Sequence, residues 1–214
     1  MVSQFDLFDT SQNDIFSTSS YEKFRELLAA SNCQKCALKN SRTHIVVDRG
    51  NPKAHILVIG EGPGENEDLQ GRAFVGRAGQ LMDRLVKEEM GLDTNQHFLI
   101  VNVVKCRPPE NRTPRKEEAE ACLPFLKKQI ELVQPKIILL LGATALKHLA
   151  PSKKEFSMEK EVGKLFNLEA YPNIPFMVLF HPAYLLYDNR KEPIFRQHLQ
   201  ELKKWLLSQK LVLA

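Results

Sequence analysis

The sequence predicts an α/β protein, a three-layer α/β/α sandwich around a central parallel sheet of four strands. Two observations predict it. Four short apolar runs are continuous rather than alternating, as strands buried on both faces are. Between them lie stretches whose apolar residues recur at helical spacing, and strands that alternate with helices build parallel sheets covered on both sides. From Tyr21 the first helix carries Phe24, Leu27 and Leu28 on one face. The run from His55 to Gly60 is the first strand. A helix follows over 77–90, with Leu81, Leu85 and Val86 on one side, and 98–104 is the second strand. Pro114 stands where a helix would begin, with Glu117, Glu118 and Glu120 near the positive end of its dipole. That helix runs to about 134 and carries Cys122. Residues 136–142 form the third strand, followed by a short helix to Leu149. Residues 175–180 form the fourth, and the last helix spans about 193–209.

The 214 residues, 43% hydrophobic and 26% charged, suit one globular domain and exclude a disordered, collagen-like or coiled-coil chain. No apolar run approaches the roughly 18 residues of a membrane span, and no basic-then-apolar leader opens the chain. A cytoplasmic monomer without membrane contact is expected. Residues 1–20 contain Asp6, Asp9 and Asp14 and neither Lys nor Arg, which leaves a net +7 on the rest of a chain whose total is +4. The polar composition of 1–20 predicts a flexible tail, with a single domain over 21–214. The basic body is compatible with nucleic acid.

Ligands of open parallel sheets bind beyond the carboxyl ends of the strands. Glu61 onward, Asn102 to Cys106, Gly142 and His181 all fall there. The turn Gly60-Glu-Gly-Pro-Gly64 fits neither the dinucleotide fingerprint nor a P-loop, but lets backbone amides approach a bound group. Acidic Glu61, Glu65, Glu67 and Asp68 follow it. Asn102 ends an apolar strand, and its amide can make two bonds to one edge of a base or cap nearby backbone. His181 could donate to a developing anion. Residues 105–116 carry five basic residues and three prolines, a stiff loop suited to phosphate contacts. Cys33 and Cys36 have metal-ligand spacing, with Cys106 and Cys122 as partners across a long loop. Spacing alone leaves zinc, an iron–sulfur cluster, a redox pair and unrelated buried thiols open.

GEGPGENED (60–68), GRAFVGRAG (71–79), NVVKCRPPENR (102–112), HPAYLL (181–186) and the four cysteines together resemble the family 4, iron–sulfur uracil-DNA glycosylases over about residues 21–209. The resemblance implies excision of uracil from DNA in base excision repair. It implies that Cys33, Cys36, Cys106 and Cys122 hold a structural 4Fe-4S cluster, and that Phe74 stacks on the extruded base. Asn102 becomes the uracil reader, held in one orientation by its neighbours, and His181 the donor to uracil O2 together with amides of the turn around Gly62. Glu61 positions water, with Glu67 its rival, and Leu185 fills the vacated stack. Two other readings stay open: a protein that traps uracil-DNA without turnover, and a metal-cluster nucleotide-binding protein without glycosylase activity. The trapping histidine of a related subgroup has no counterpart here, since none lies between His97 and His148. In the tail, Gln4 to Phe8 resembles the peptide by which bacterial repair proteins dock on the sliding clamp, with 12–16 a poorer copy. Such a tether would concentrate a nucleoid-associated enzyme at new DNA.

Overall fold

The computed structural model describes residues 14–150 and 156–211. The first half runs α1 (14–17), α2 (Tyr21–Ala30), β1 (Arg49–Gly50), β2 (Ile56–Gly60), α3 (Glu65–Gln70), α4 (Arg77–Met90), α5 (Thr94–His97) and β3 (Phe98–Asn102). The second half adds α6 (Lys116–Val133), β4 (Ile137–Leu141), α7 (Gly142–Leu149) and α8 (Met158–Glu161). It closes with β5 (Leu165–Leu168), β6 (Tyr171–Leu179), α9 (Pro182–Tyr187) and α10 (Glu192–Ser208).

The strands form one sheet in the order β1-β3-β2-β4-β6-β5. Its middle is the expected parallel four, β3, β2, β4 and β6. The sheet has six strands rather than four because β1 and β5 add antiparallel edges. Side chains of the central strands divide by parity. Leu57, Ile59, Leu99, Val101, Ile138, Leu140, Phe176 and Val178 meet Phe24 and Leu28 of α2 and Phe125, Leu126 and Ile130 of α6. Ile56, Val58, Phe98, Ile100, Leu139 and Met177 meet Leu81, Leu85 and Val86 of α4 and Leu199, Leu202 and Leu206 of α10. These two cores make the three layers. Burial of each such large side chain stabilises the fold by about 1.5–3 kcal/mol, which explains why the strands tolerate no polar interior residue before Asn102.

The packed body begins before residue 21. Ile15 is 1% exposed, the Phe16 ring lies 5.2 Å from that of Phe125 in a stacked pair, and Ser20 caps α2 through the Lys23 amide. The boundary drawn from composition at residue 20 is therefore too late: two apolar side chains outweigh the polar average around them. The poorer clamp-like copy at 12–16 has Ile15 in the core, whereas Gln4–Phe8 lies outside the described residues.

Register sets up the functional end of the sheet. Gly60 of β2 pairs with Asn102 of β3, and Leu141 of β4 pairs with Leu179 of β6, two residues before His181. Glu61, Asn102, Gly142 and His181 thus emerge along one edge of the layer.

Candidate active site

A cleft of about 540 Å³ opens at this edge. Glu61, Gly62, Glu67, Phe74, Thr144 and His181 line it, with Tyr184 at its side. Asn102 lies beneath rather than on the lining. Its residue is 1% exposed, and neither Oδ1 nor Nδ2 has a hydrogen-bond partner. A buried amide without partners costs about 1–3 kcal/mol, an outlay a fold retains where a ligand supplies the bonds. Among the described residues no hydrogen bond fixes the amide's orientation, so the expected lock is absent as a bond, and close packing limits where the side chain sits without telling its oxygen from its nitrogen. A Cβ on Gly60 would stand 2.5 Å from Asn102 Oδ1 and 2.6 Å from Phe74 Cε2.

Phe74 adopts φ 54°, a left-handed conformation that costs a bulky residue about 1–3 kcal/mol. Such strain persists only where the surroundings impose it. Here α4 begins three residues on, and Gly79 lets the helix approach so closely that any Cβ there would overlap the Phe74 carbonyl. The ring is thereby aimed at the His181 imidazole, 5.6 Å away between centroids.

His181 is the N-cap of α9, and its Nδ1 accepts the Ala183 amide at 3.2 Å. A ring nitrogen that accepts carries no proton, so the hydrogen-bond network assigns the proton of the neutral ring to Nε2. Burial pushes the imidazole down to about 4, so it is neutral at physiological pH.

The two acidic candidates differ in what they have left to give. Both Glu67 oxygens accept backbone N–H groups, from Gly64 at 3.1 Å and Gly76 at 2.6 Å, clasping the turn after β2 to the loop before α4. Glu61 accepts the Thr144 hydroxyl on one oxygen only. Asp68, 2% exposed, takes the Thr43 and His44 amides and serves structure. Glu65 faces Arg107 at 3.5 Å.

A family model described as the Uracil DNA glycosylase superfamily matches residues 47–206. The chain belongs to that superfamily. Among its relatives is a type-4 uracil-DNA glycosylase of Thermotoga maritima, 46% identical over 173 residues that cover 80% of this chain and 86% of the relative. One of Sulfurisphaera tokodaii is 40% identical over 195 residues, 89% and 87% of the two chains. One of Saccharolobus solfataricus is 41% identical over 185 residues, 85% of each.

For this member of the superfamily, two expectations need correction. Leu185 is 2% exposed and packed in the core, so in this structure its side chain is not presented to a base stack. Leu186 and Tyr187, 45% and 90% exposed, are the outward apolar side chains. The loop 105–116 is less available to phosphates than its composition suggests. Lys105 is buried, Arg107 pairs with Glu65 and Asn111, and Arg112 forms a two-pronged pair with Glu118 at 2.7 and 2.8 Å. Arg115 and Lys116 remain on the surface. Thr144 was not singled out from sequence, because a Thr in the first turn of a helix carries no motif.

The four cysteines line one further cavity, together with Arg42, Lys105 and Phe125. All four are free thiols. Burial pushes Cys106 up to about 11 and Cys122 up to about 12. Arg42 approaches Cys106 Sγ at 3.6 Å and the Cys33 carbonyl at 2.8 Å. Among the described residues, no three His, Cys, Asp or Glu side chains are grouped closely enough to hold a metal ion.

Proposed function

We propose that this chain excises uracil from DNA, breaking the N-glycosidic bond of an extruded deoxyuridine with water and leaving an abasic site. The observation that carries the reading to these residues is the Asn102 amide, buried without partners beside Phe74 and below the cleft. Uracil offers N3–H as donor and O4 as acceptor, which match Oδ1 and Nδ2 of one amide. Phe74 stacks on the base, whose extrusion costs a few kcal/mol. His181 donates Nε2–H to O2 as negative charge gathers on the departing base, and the Gly62 backbone adds to it. Glu61 holds the attacking water and faces the sugar cation, while Glu67 fixes the shape of the turn. The stack-filling part falls to Leu186 and Tyr187 in place of Leu185.

The deciding assay supplies oligonucleotides containing uracil, cytosine or thymine and cleaves abasic sites with alkali. Release from uracil strands alone supports the reading, and intact uracil strands overturn it. Asn102→Asp should weaken uracil release and admit cytosine, because the carboxylic acid form can donate to cytosine N3. Unchanged uracil kinetics would remove Asn102 as the reader.

The Thr144 hydroxyl positions the Glu61 carboxylate. A hydrogen bond to a charged group is worth about 1.5–3 kcal/mol, so Thr144→Val should lower single-turnover release about ten- to a hundredfold. Thr144→Ser should retain most of it. Equal losses in both variants would assign Thr144 to packing instead.

The cysteine cavity is assigned to a 4Fe-4S cluster held by Cys33, Cys36, Cys106 and Cys122. The residues fit: the four cysteines line one cavity, and Arg42 and Lys105 line it with them. Such a group, when bound, would supply a tie among three chain segments that are distant in sequence. DNA is then the partner and the nucleoid the place of action.

A further inference from the structure

Among the described residues, the other buried lysine and arginine side chains each have a carboxylate partner: Arg49 pairs with Asp83 at 2.6 Å and Lys128 with Glu131 at 2.7 Å. Lys105 departs from this pattern. The residue is 1% exposed, and its Nζ makes one hydrogen bond among the described residues, to the carbonyl of Asn102 at 2.6 Å. A neutral carbonyl does not balance an ammonium, and an unbalanced buried charge is costly. The groups whose charge acts on it are the Cys122 and Cys106 thiols and Asp48, the last already engaged by Tyr21 and Arg25. Lys105 lines the four-cysteine cavity, and its backbone N–H points at the Cys122 thiol. On the opposite side Arg42 supplies a second cation, to Cys106.

We propose that Lys105 is the counter-cation of the four-cysteine site and the strut that joins this site to the reading end of β3. It rests on the assignment of the cysteines to an iron–sulfur cluster. A cluster held by four thiolates is a net anion, and net charge and hydrogen bonds to sulfur set its potential. With the cluster bound, the Lys105 charge has its partner, and the same ammonium holds the Asn102 carbonyl. The side chain of Lys105 therefore ties two sites that share no ligand: the metal centre positions the base reader through one hydrogen bond. Lys105 is a positioning residue, since it touches neither base nor sugar.

The test uses the full chain purified with its cluster, and iron and sulfide content is measured first. Absence of both would overturn the cluster assignment before any variant is compared. Lys105→Gln keeps a donor for the Asn102 carbonyl and removes the charge. Loss of a nearby cation favours the oxidised cluster, so the midpoint potential should fall by a tenfold change in equilibrium, about 59 mV for one electron. Loss of the visible absorption under oxidant and chelator should speed up about as much. Lys105→Arg, with the charge retained, should keep the wild-type potential. A loaded Lys105→Gln protein with wild-type potential would overturn the proposal. If the Gln variant fails to fold, the Arg variant decides. A folded, loaded Arg protein supports the counter-cation, and one as unstable as Gln assigns the position to shape alone.

Discussion

Replacing His181 with alanine should lower uracil release by about 10²–10³, while affinity for uracil-containing DNA changes little. The expectation follows from where charge appears. Before the glycosidic bond stretches, O2 is an ordinary carbonyl oxygen, and one neutral imidazole N–H adds little to binding. As the bond breaks, electrons move onto the base and the same N–H faces an anion. A donor aimed at charge that develops only in the transition state is worth about 2.7–4 kcal/mol. The geometry is set in advance, because the Ala183 amide holds Nδ1 and leaves Nε2 to carry the proton. Single-turnover release and equilibrium binding, measured on the same oligonucleotide, decide the matter; comparable losses in both would contradict the role.

The same histidine sets an acid limit. Its folded value of about 4 lies below that of an exposed histidine, about 6.5, because burial disfavours the charged ring. The neutral donor is therefore present throughout the range above 4, and its contribution to release should stay level there and change only as pH falls through about 4. Stability carries the matching sign. Between the two values the unfolded chain binds the proton and the folded chain does not, so burial of His181 costs stability progressively as pH falls from about 6.5 towards 4. His181→Ala should flatten that part of the pH–stability profile.

The sequence made the central sheet legible because strands buried on both faces must be apolar throughout, as in the run 137–141. The edge strands left no such mark. β1 has two residues, and β5 alternates between exposed and half-buried positions before Leu168, because edge strands lack a second covering layer. The candidate site was legible where a residue type is unexpected, as with Asn102 ending an apolar strand. It was illegible where a role depends on which face a short helix turns outward. Leu185 and Leu186 are chemically alike, and only the path of α9 puts the first in the core and the second in solvent. Glu61 and Glu67 are likewise indistinguishable until the amides of Gly64 and Gly76 claim both oxygens of the latter. Composition misled at the N-terminus, where Ile15 and Phe16 dock although their neighbours are polar.

Adding a single methyl at Gly60 should abolish most activity without unfolding the protein. Gly60 has ordinary backbone angles for a strand residue, so its requirement is for space. The added Cβ would meet Asn102 Oδ1 at 2.5 Å and the Phe74 ring at 2.6 and 2.7 Å, closer than real Cβ contacts come. Backbone relief is restricted, since Gly60 is hydrogen-bonded in register with Asn102 in the middle of the sheet. The side chains must move instead, and both belong to the base pocket. Phe74 is held in place by its left-handed backbone and by the close approach of α4 at Gly79, so the displacement falls largely on the Asn102 amide. A misplacement of about 1 Å in a positioning group costs about 10²-fold in rate, whereas overpacking costs about 1–3 kcal/mol in stability. Gly60→Ala should therefore lose at least about two orders of magnitude in uracil release and retain a cooperative urea transition shifted to lower midpoint. Wild-type release from a folded Gly60→Ala protein would show that the Asn102 amide does not meet the base where the strand register puts it.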